Sequence, residues 1–566
     1  MTGPGPRRNF ATGLAGHDYD VAVLGGGVSG LTAALQLKAE RPKTSIVVLE
    51  KREHPVPDTA YKVGESIAEV GAHYMKDVMG LESYLQETHL RKMGLRWFCS
   101  NGENTDITRR IEFGLIRYSP LANFHLDRGA IENHLAGLCS DSGIDFRDGT
   151  HVSDVDLNAD GHTIATGRNG STRDLRARWV IDATGRQAFL RRKLGVQIDL
   201  PIDANSSWFR TRENLLIDEW SDDPAWRAQV PSGTRWKSTT SFVGPGYWIW
   251  VINLGSGSCS VGVVADPRFI PFERIRRYDA LLEWLYEAEP QLASKLPQHE
   301  SELMDFMKRK RFAHSCTRAF SRHRWCLTGE GAVFLDPLYS TGHDLGAIAN
   351  TLAIDLIGRE LDGESGRDHS QRVKSHNRSL LGIVQLGIDV FPGQLAVYGN
   401  PQATGAKFLW DNASYFSILL NLFRNMAIRD PEFVRSVQPA LIVNSQINAF
   451  MQKQFRDWGT KGWDIRAAGV PVGSDHLIEH LFTRPLEEMS KPELYEHIHT
   501  SVSRLHTISR EMVTRIHRAA GHDVPEAPYE EPPLSDEDLL IWSDIDRRTR
   551  PPAEQDPQPE DGWLLR

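Results

Sequence analysis

The chain has 566 residues, too many for one compact hydrophobic core, so two or three structural units are expected. A formal charge of −9, with no long basic run, argues against a nucleic-acid partner. The five cysteines, Cys99, Cys139, Cys259, Cys316 and Cys326, are odd in number and lack CxxC spacing; this speaks against a disulfide framework or bound metal and fits a reducing cytoplasm.

Taken in chain order, residues 1–17 carry no apolar segment of signal-peptide type and read as a flexible leader. The stretch "DYDVAVLGGGVSGLTAALQLKAERPKTSIVVLEKR" then reads as strand, Gly-rich turn, helix and strand. Gly25, Gly27 and Gly30 form GxGxxG, with Val28 and Ser29 inside it, and Glu50 followed by Lys51 closes the second strand. Such glycines permit the tight turn, the approach of a pyrophosphate and close helix packing, and the acid accepts from a ribose hydroxyl. Together they predict a dinucleotide-binding domain.

"RKMGLRWF" (Arg91 to Phe98) reads as strand, and "LDRGAIENHL" opens a helix at Arg128. "RWVIDATGR" is a strand ending in a turn that holds Ala183 and Gly185. Residues 203–268 alternate polar and apolar as in an antiparallel sheet. Within it "GPGYWIWVINLGSG" sends Trp248 and Trp250 to one face, as core filler or as the wall of a cavity. From 366 to 520 the pattern is helical, and Ser490 with Glu493 forms a capping box. Residues 521–566 are acidic and Pro-rich, the composition of a mobile tail. No run approaches about eighteen apolar residues, so no transmembrane segment is expected; "LLGIVQLGIDVF" and "YFSILLNLF" read as core or docking helices.

"DATGR" (Asp182 to Arg186) and "WCLTGEGAVFLDPLYSTGHDLGAIANT" (Trp325 to Thr351) resemble the second and third signatures of the glutathione-reductase-type FAD fold, with Gly329-Glu330 where Gly-Asp is usual. Arg128 matches that family's phosphate-facing arginine, the alternative being a surface cap. The resemblance implies FAD held by Gly25, Gly27, Val28, Ser29, Gly30, Glu50, Lys51, Arg128, Ala183, Gly185, Gly329, Glu330 and Pro337. No second fingerprint for a nicotinamide is present, so a separate flavin reductase, or NAD(P)H bound transiently, is expected to reduce the flavin.

Over roughly residues 18–365 the chain is also similar to the flavin-dependent halogenases. "YKVGES" (Tyr61 to Ser66) looks like their Val-Gly-Glu segment, "GYWIWVIN" like WxWxIP and "PLYSTG" (Pro337 to Gly342) like the halide loop; "RKMGLRWF" falls where their lysine lies. The resemblance implies that chloride or bromide, held near Ser340, Thr341 and Gly342, is oxidised with the help of reduced FAD and oxygen. Lys92 then passes the hypohalous species to an electron-rich carbon, and Trp248 and Trp250 keep the substrate from the flavin. Lysine suits that role because burial lowers its pKa, and the alternative is a surface lysine. Glu65 is a catalytic or flavin-organising acid on this reading, or else a structural carboxylate on backbone amides.

Three departures bear on the carry-over. Asn253 replaces the proline of WxWxIP, which predicts a less constrained strand exit, and Tyr339 stands where the tryptophan-halogenase subgroup has a glutamate. Asp344 is expected to cap the helix after the halide loop, and His343 is left open between cofactor, substrate and cap.

The expected architecture is α/β: a discontinuous glutathione-reductase-type (Rossmann-like) FAD-binding domain over 18–365, an inserted antiparallel substrate-side sheet at about 203–320, and a helical region over 366–520 that covers the substrate channel. The expected function is FAD-dependent halogenation of a small or carrier-protein-tethered aromatic or activated substrate. A flavin monooxygenase, a reductase or desaturase, and a flavin-fold protein carrying a prenyl or lipid group are the alternatives. A homodimer is compatible with the apolar C-terminal helices.

Overall fold

The structure is a computed structural model. It describes residues 16–59, 62–115, 118–463, 487–530, 532 and 563–565. Tyr61, nearly all of the leader and most of the tail lie outside the described residues.

The centre of the parallel sheet is built from short apolar segments. Tyr19–Leu24 lies between Ile46–Leu49 and Ser171–Asp182, with Asp145–Arg147 and Trp325–Leu327 outside them, all in parallel register. Strands buried on both faces read as continuous hydrophobic runs, which is why "VAVL" and "IVVL" alternate with nothing polar. Helices Val28–Glu40 and Arg128–Asp141 pack together beside the sheet, and the long helix Thr341–Leu361 packs on the first of them. An antiparallel meander, His151–Asp156 and His162–Arg168, extends the strand that ends at Asp182.

The second sheet has the order Asp305–Lys310, Asn205–Thr211, Cys259–Ala265, Tyr247–Asn253, Thr239–Gly244, Leu95–Cys99, Glu112–Leu115 and Trp563–Leu565. It is antiparallel except where Thr239–Gly244 runs parallel to Leu95–Cys99. The last three described residues therefore pair with the edge strand Glu112–Leu115, Trp563 opposite Leu115, so this end of the acidic segment is strand rather than loose tail. Two-residue alternation divides the aromatic strand between two cores: Trp248, Trp250 and Ile252 face the flavin-side core, and Tyr247, Ile249 and Val251 face a second core behind the sheet. The indole centroids are 5.5 Å apart with planes tilted by 44°.

Asn253 does not loosen the exit of that strand. Its side chain accepts from Leu215 N at 2.8 Å and donates to Leu215 O at 2.9 Å and Trp236 O at 2.7 Å. Three hydrogen bonds thus fix what a proline fixes by its ring.

The C-terminal region is helical, with Gly366–Val390, Pro401–Ser414, Pro431–Lys461 and Lys491–Ala519 as its main members. The Ser490–Glu493 capping box forms as the sequence predicts. One segment among the described residues, Gly366–Val397, is long and apolar enough to cross a membrane by the length and composition of its most apolar window. Only 33% of that window is buried. Its apolar half, Gly382 to Phe391, lines a cavity on one side while Val384 and Phe391 join the core, which accounts for apolar residues that are only partly buried.

Candidate active site

Two cavities meet in the middle of the molecule. The first, of about 310 Å³, is lined by Gly25, Gly27, Val28 and Ser29 of the Gly-rich turn, by Glu50 and Lys51, and by Arg128. Ala183, Gly185, Gly329, Glu330 and Pro337 complete it. Gly30 lies just outside: a Cβ there would fall 2.0 Å from Gly25 O, so its role is to let the helix close onto the turn. Gly25, at φ +105, would put a Cβ 2.4 Å from Ala183 O. Gly27 differs, because a Cβ there meets nothing nearer than 3.8 Å and the space in front of it opens into the cavity.

These residues fit a dinucleotide. Gly27 caps a helix of 13 residues whose first N–H groups have no intrahelical acceptor. Glu50 takes Gly26 N on one oxygen at 2.6 Å and Arg52 N on the other at 2.8 Å, which keeps lone pairs for ribose hydroxyls. Arg128 donates to Val63 O at 2.5 Å and to Glu132 at 3.0 Å, yet its Nε is buried with no acceptor among the described residues, the arrangement of a guanidinium placed for an anion. Glu330, by contrast, is only loosely tied, 3.9 Å from Arg186 Nε.

The second cavity, of about 620 Å³ and mostly apolar, has Lys92 at one end. Among the described residues none lines both cavities. The partition is two strips of chain whose side chains alternate between the two sides. Glu65 and Ser66 face the flavin side, with Ala68 and Glu69 beyond; Leu338, Ser340, Gly342 and His343 face it too, while Tyr339, Thr341 and Asp344 look into the larger cavity. Ser340, Thr341 and Gly342 therefore sit within the partition, at the start of the 21-residue helix Thr341–Leu361, whose first backbone N–H groups have no intrahelical acceptor. Ser340 is held left-handed at φ 60 and donates to Ser66 Oγ at 3.0 Å, which in turn pairs with Thr239 at 2.7 Å. His125 Nε2 meets the same Thr239 at 2.8 Å. Trp248 and Trp250 line the flavin-side cavity and not the larger one, Trp250 with its Nε1 on Ser260 at 3.1 Å.

Glu65 is buried and faces the flavin side, but its carboxylate is bound by Arg210 at 2.5 Å rather than by backbone amides, and Asp305 takes the other arm of that guanidinium at 2.5 Å. His343 Nε2 lies 2.7 Å from Gly64 O, and burial beside Arg128 lowers its pKa to about 4.

Asp344 does not cap its own helix, which begins three residues earlier. Its carboxylate accepts Gly71 N at 2.8 Å, so it caps the neighbouring helix Glu69–His73, and it also accepts Tyr415 OH at 2.7 Å.

Lys92 is 4% exposed, in the short strand Leu90–Lys92, where it pairs with Asn123 and donates Nζ to Ile67 O at 3.0 Å. Burial lowers its pKa to about 8, against the pull of Glu69 and Asp344. The same burial raises Glu69, which accepts from Asn123 at 2.7 Å, and takes Asp344 to about 7. Two acids from distant segments thus attend the lysine, although position 339 holds a tyrosine, whose OH donates to Asp411 at 2.7 Å. Sequence spacing gave no sign of Glu69 or Asp344 as Lys92's companions, because helix Glu69–His73 and the halide-loop helix meet only in the fold.

Asp344 predicts a pH signature. With its folded pKa raised, the native state holds a proton between pH 4 and 7 that the unfolded chain has released, so its contribution to stability falls as pH rises through that window. Thermal melts should therefore show wild type losing stability relative to Asp344→Asn from pH 4 to 7. Parallel curves would contradict the assignment.

The chain is similar to several known proteins. Residues 18–226 match the family model described as FAD binding domain. A flavin-dependent halogenase of Dictyostelium discoideum is 26% identical over 440 residues, covering 72% of this chain and 71% of that protein. A 1H-pyrrole-2-carbonyl-[peptidyl-carrier protein] chlorinase of Pseudomonas fluorescens is 23% identical over 428 residues, 72% of this chain and 89% of that one. Among solved structures, halogenase PltM in complex with phloroglucinol and FAD superposes with a TM-score of 0.58 at 17% identity, over 87% of this chain and 98% of that one. Fold and Gly-rich cavity define an FAD-dependent oxidoreductase-type enzyme. Within that class the chain is similar in sequence to flavin-dependent halogenases, at 23% and 26% identity to the two above, and it shares the fold of halogenase PltM.

Proposed function

We propose that the protein is a halogenase that uses reduced FAD, O2 and chloride or bromide, and that Lys92 delivers the halogen to an electron-rich carbon in the larger cavity. The observation that carries this reading is the place of Lys92: buried, facing the larger cavity across a partition that contains Ser340, Thr341 and Gly342. When bound and reduced, FAD supplies the two electrons that, with two drawn from halide and the substrate C–H bond, take O2 to two waters.

The chain's own residues do the rest. Gly27, Glu50 and Arg128 hold the cofactor's pyrophosphate and ribose region. Unpaired N–H groups of Thr341 and Gly342 suit a small anion. The two strips of the partition, with Trp248 and Trp250 behind them, keep substrate from the flavin side, so a species small enough to pass is what reaches Lys92. A pKa of about 8 lets the amine shed its proton near neutral pH, which an arginine does not do. A separate flavin reductase is required on this reading, since one dinucleotide fingerprint serves FAD alone. Five unpaired, buried cysteines suit a cytoplasmic setting.

The test supplies the protein with FAD, an NADH-driven flavin reductase, O2 and either chloride or bromide, and follows a phenol or indole by mass spectrometry. Products bearing the halide supplied are expected. A hydroxylated product formed equally well without halide would replace this reading with a monooxygenase.

A further inference from the structure

The larger cavity has a second end, and its chemistry differs from the first. One wall is the helix Gly366–Val390, which is graded along its length. Ile383, Leu386 and Val390 face the cavity toward Tyr339, and Lys374 and Arg378, one turn apart, face it at the other end. Arg435, from the helix Pro431–Lys461, lines the same outer end, next to Ile442, which is 50% exposed.

All three cations are exposed, and among the described residues none has an ion-pair or hydrogen-bond partner. Their neighbours are matched: Arg372 with Glu364 and Asp355, Arg429 with Glu40, Lys491 with Asp430. Like charges at i and i+4 repel, so Lys374 and Arg378 disfavour their own helix while no acid among the described residues pairs with them. Unpaired cations at the rim of an apolar cavity are what a ligand with one charged end and an apolar body would meet.

We infer that the cavity takes a free amphiphilic anion: an apolar body directed toward Lys92 and a carboxylate received at the mouth by Lys374, Arg378 and Arg435. Arg378 and Val390 are twelve residues apart on one helix, which sets the span from mouth to inner wall at about 18 Å. The inference rests on the halogenase reading only for what happens at the inner end.

The experiment measures binding without turnover, using the full-length protein loaded with FAD and isothermal titration with decanoate and with decan-1-ol, at low and at high salt. Decanoate is expected to bind at least tenfold tighter than the alcohol, with the difference shrinking in salt. The double variant K374Q/R378Q and the single variant R435Q should each reduce that preference while leaving decan-1-ol binding and FAD content unchanged. Equal affinity for acid and alcohol, or a preference untouched by both variants, would overturn the inference. So would binding to phosphatidylglycerol vesicles, or to a phosphopantetheinylated carrier protein, with no affinity for free decanoate. The two readings fail separately: selective decanoate binding without halogenation of any phenol sinks the reaction and leaves the site. Halogenation without acid selectivity does the reverse.

Discussion

Lys92→Ala is expected to bind FAD normally, consume O2 and reduced flavin, and lose halogenated product by about a thousandfold, ~4 kcal/mol of transition-state stabilisation. The lysine lies on the far side of the partition from the cofactor residues, so its removal leaves Gly27, Glu50 and Arg128 in place. Nor does truncation strand two anions. Burial already raises Glu69 and Asp344, and Lys92 is among the charges that hold them down, so both take up protons more readily once it is gone. The fold should survive with melting temperature changed by only a few degrees. Lys92→Arg separates chemistry from charge: it keeps the cation and loses the capacity to deprotonate. Comparable inactivity in both variants, with intact flavin spectra, fits a neutral amine at work. Near wild-type product from Lys92→Arg would assign the residue a purely electrostatic role, and product from Lys92→Ala would remove it from the chemistry altogether.

The sequence made the cofactor half of this site readable because that half is local. A strand, a Gly-rich turn, a helix and a closing acid occur within about thirty residues, and the physical demands on Gly25 and Gly30 are visible in the spacing itself. The alternation that puts Trp248 and Trp250 together is also local, and the strand Tyr247–Asn253 obeys it. The partition was not legible in the same way. It is made of residues 64–71 and 337–345, which touch through Ser66–Ser340 and Gly71–Asp344 across more than 270 positions of chain. Asp344 misled for the same reason: an acid near the start of a helix reads as its cap, whereas tertiary contact had given it another helix to cap. Tyr339 taught the converse, since an acid missing at one position was supplied from two others. The apolar run in Gly366–Val397 reads as a core or docking helix, and Leu380, Val384 and Phe391 do join the core; Ile383, Leu386 and Val390 also line a cavity, and periodicity alone does not distinguish a packed face from a cavity wall.

Gly30→Ala and Gly27→Ala should fail in opposite ways, and the contrast tests the cofactor site without reference to any reaction. At Gly30 the added methyl would fall 2.0 Å from Gly25 O and 3.1 Å from the Cβ of Ala183, both in the tight junction of turn and helix. Neither contact is the yielding end of a flexible side chain, so the helix must shift, and a stability loss of about 3 kcal/mol is expected, with flavin lost alongside. At Gly27 the methyl meets nothing within 3.8 Å and the backbone, at φ −80, is one that alanine adopts freely. The fold should be untouched. The methyl occupies the space through which a pyrophosphate approaches the helix N-terminus, however, so FAD affinity should fall at least tenfold, ~1.4 kcal/mol or more. Differential scanning calorimetry of the apoprotein reads the first effect, and quenching of flavin fluorescence on titration reads the second. A Gly27→Ala protein with undiminished affinity would place the pyrophosphate elsewhere in the cavity, and the assignments of Glu50 and Arg128 would have to move with it.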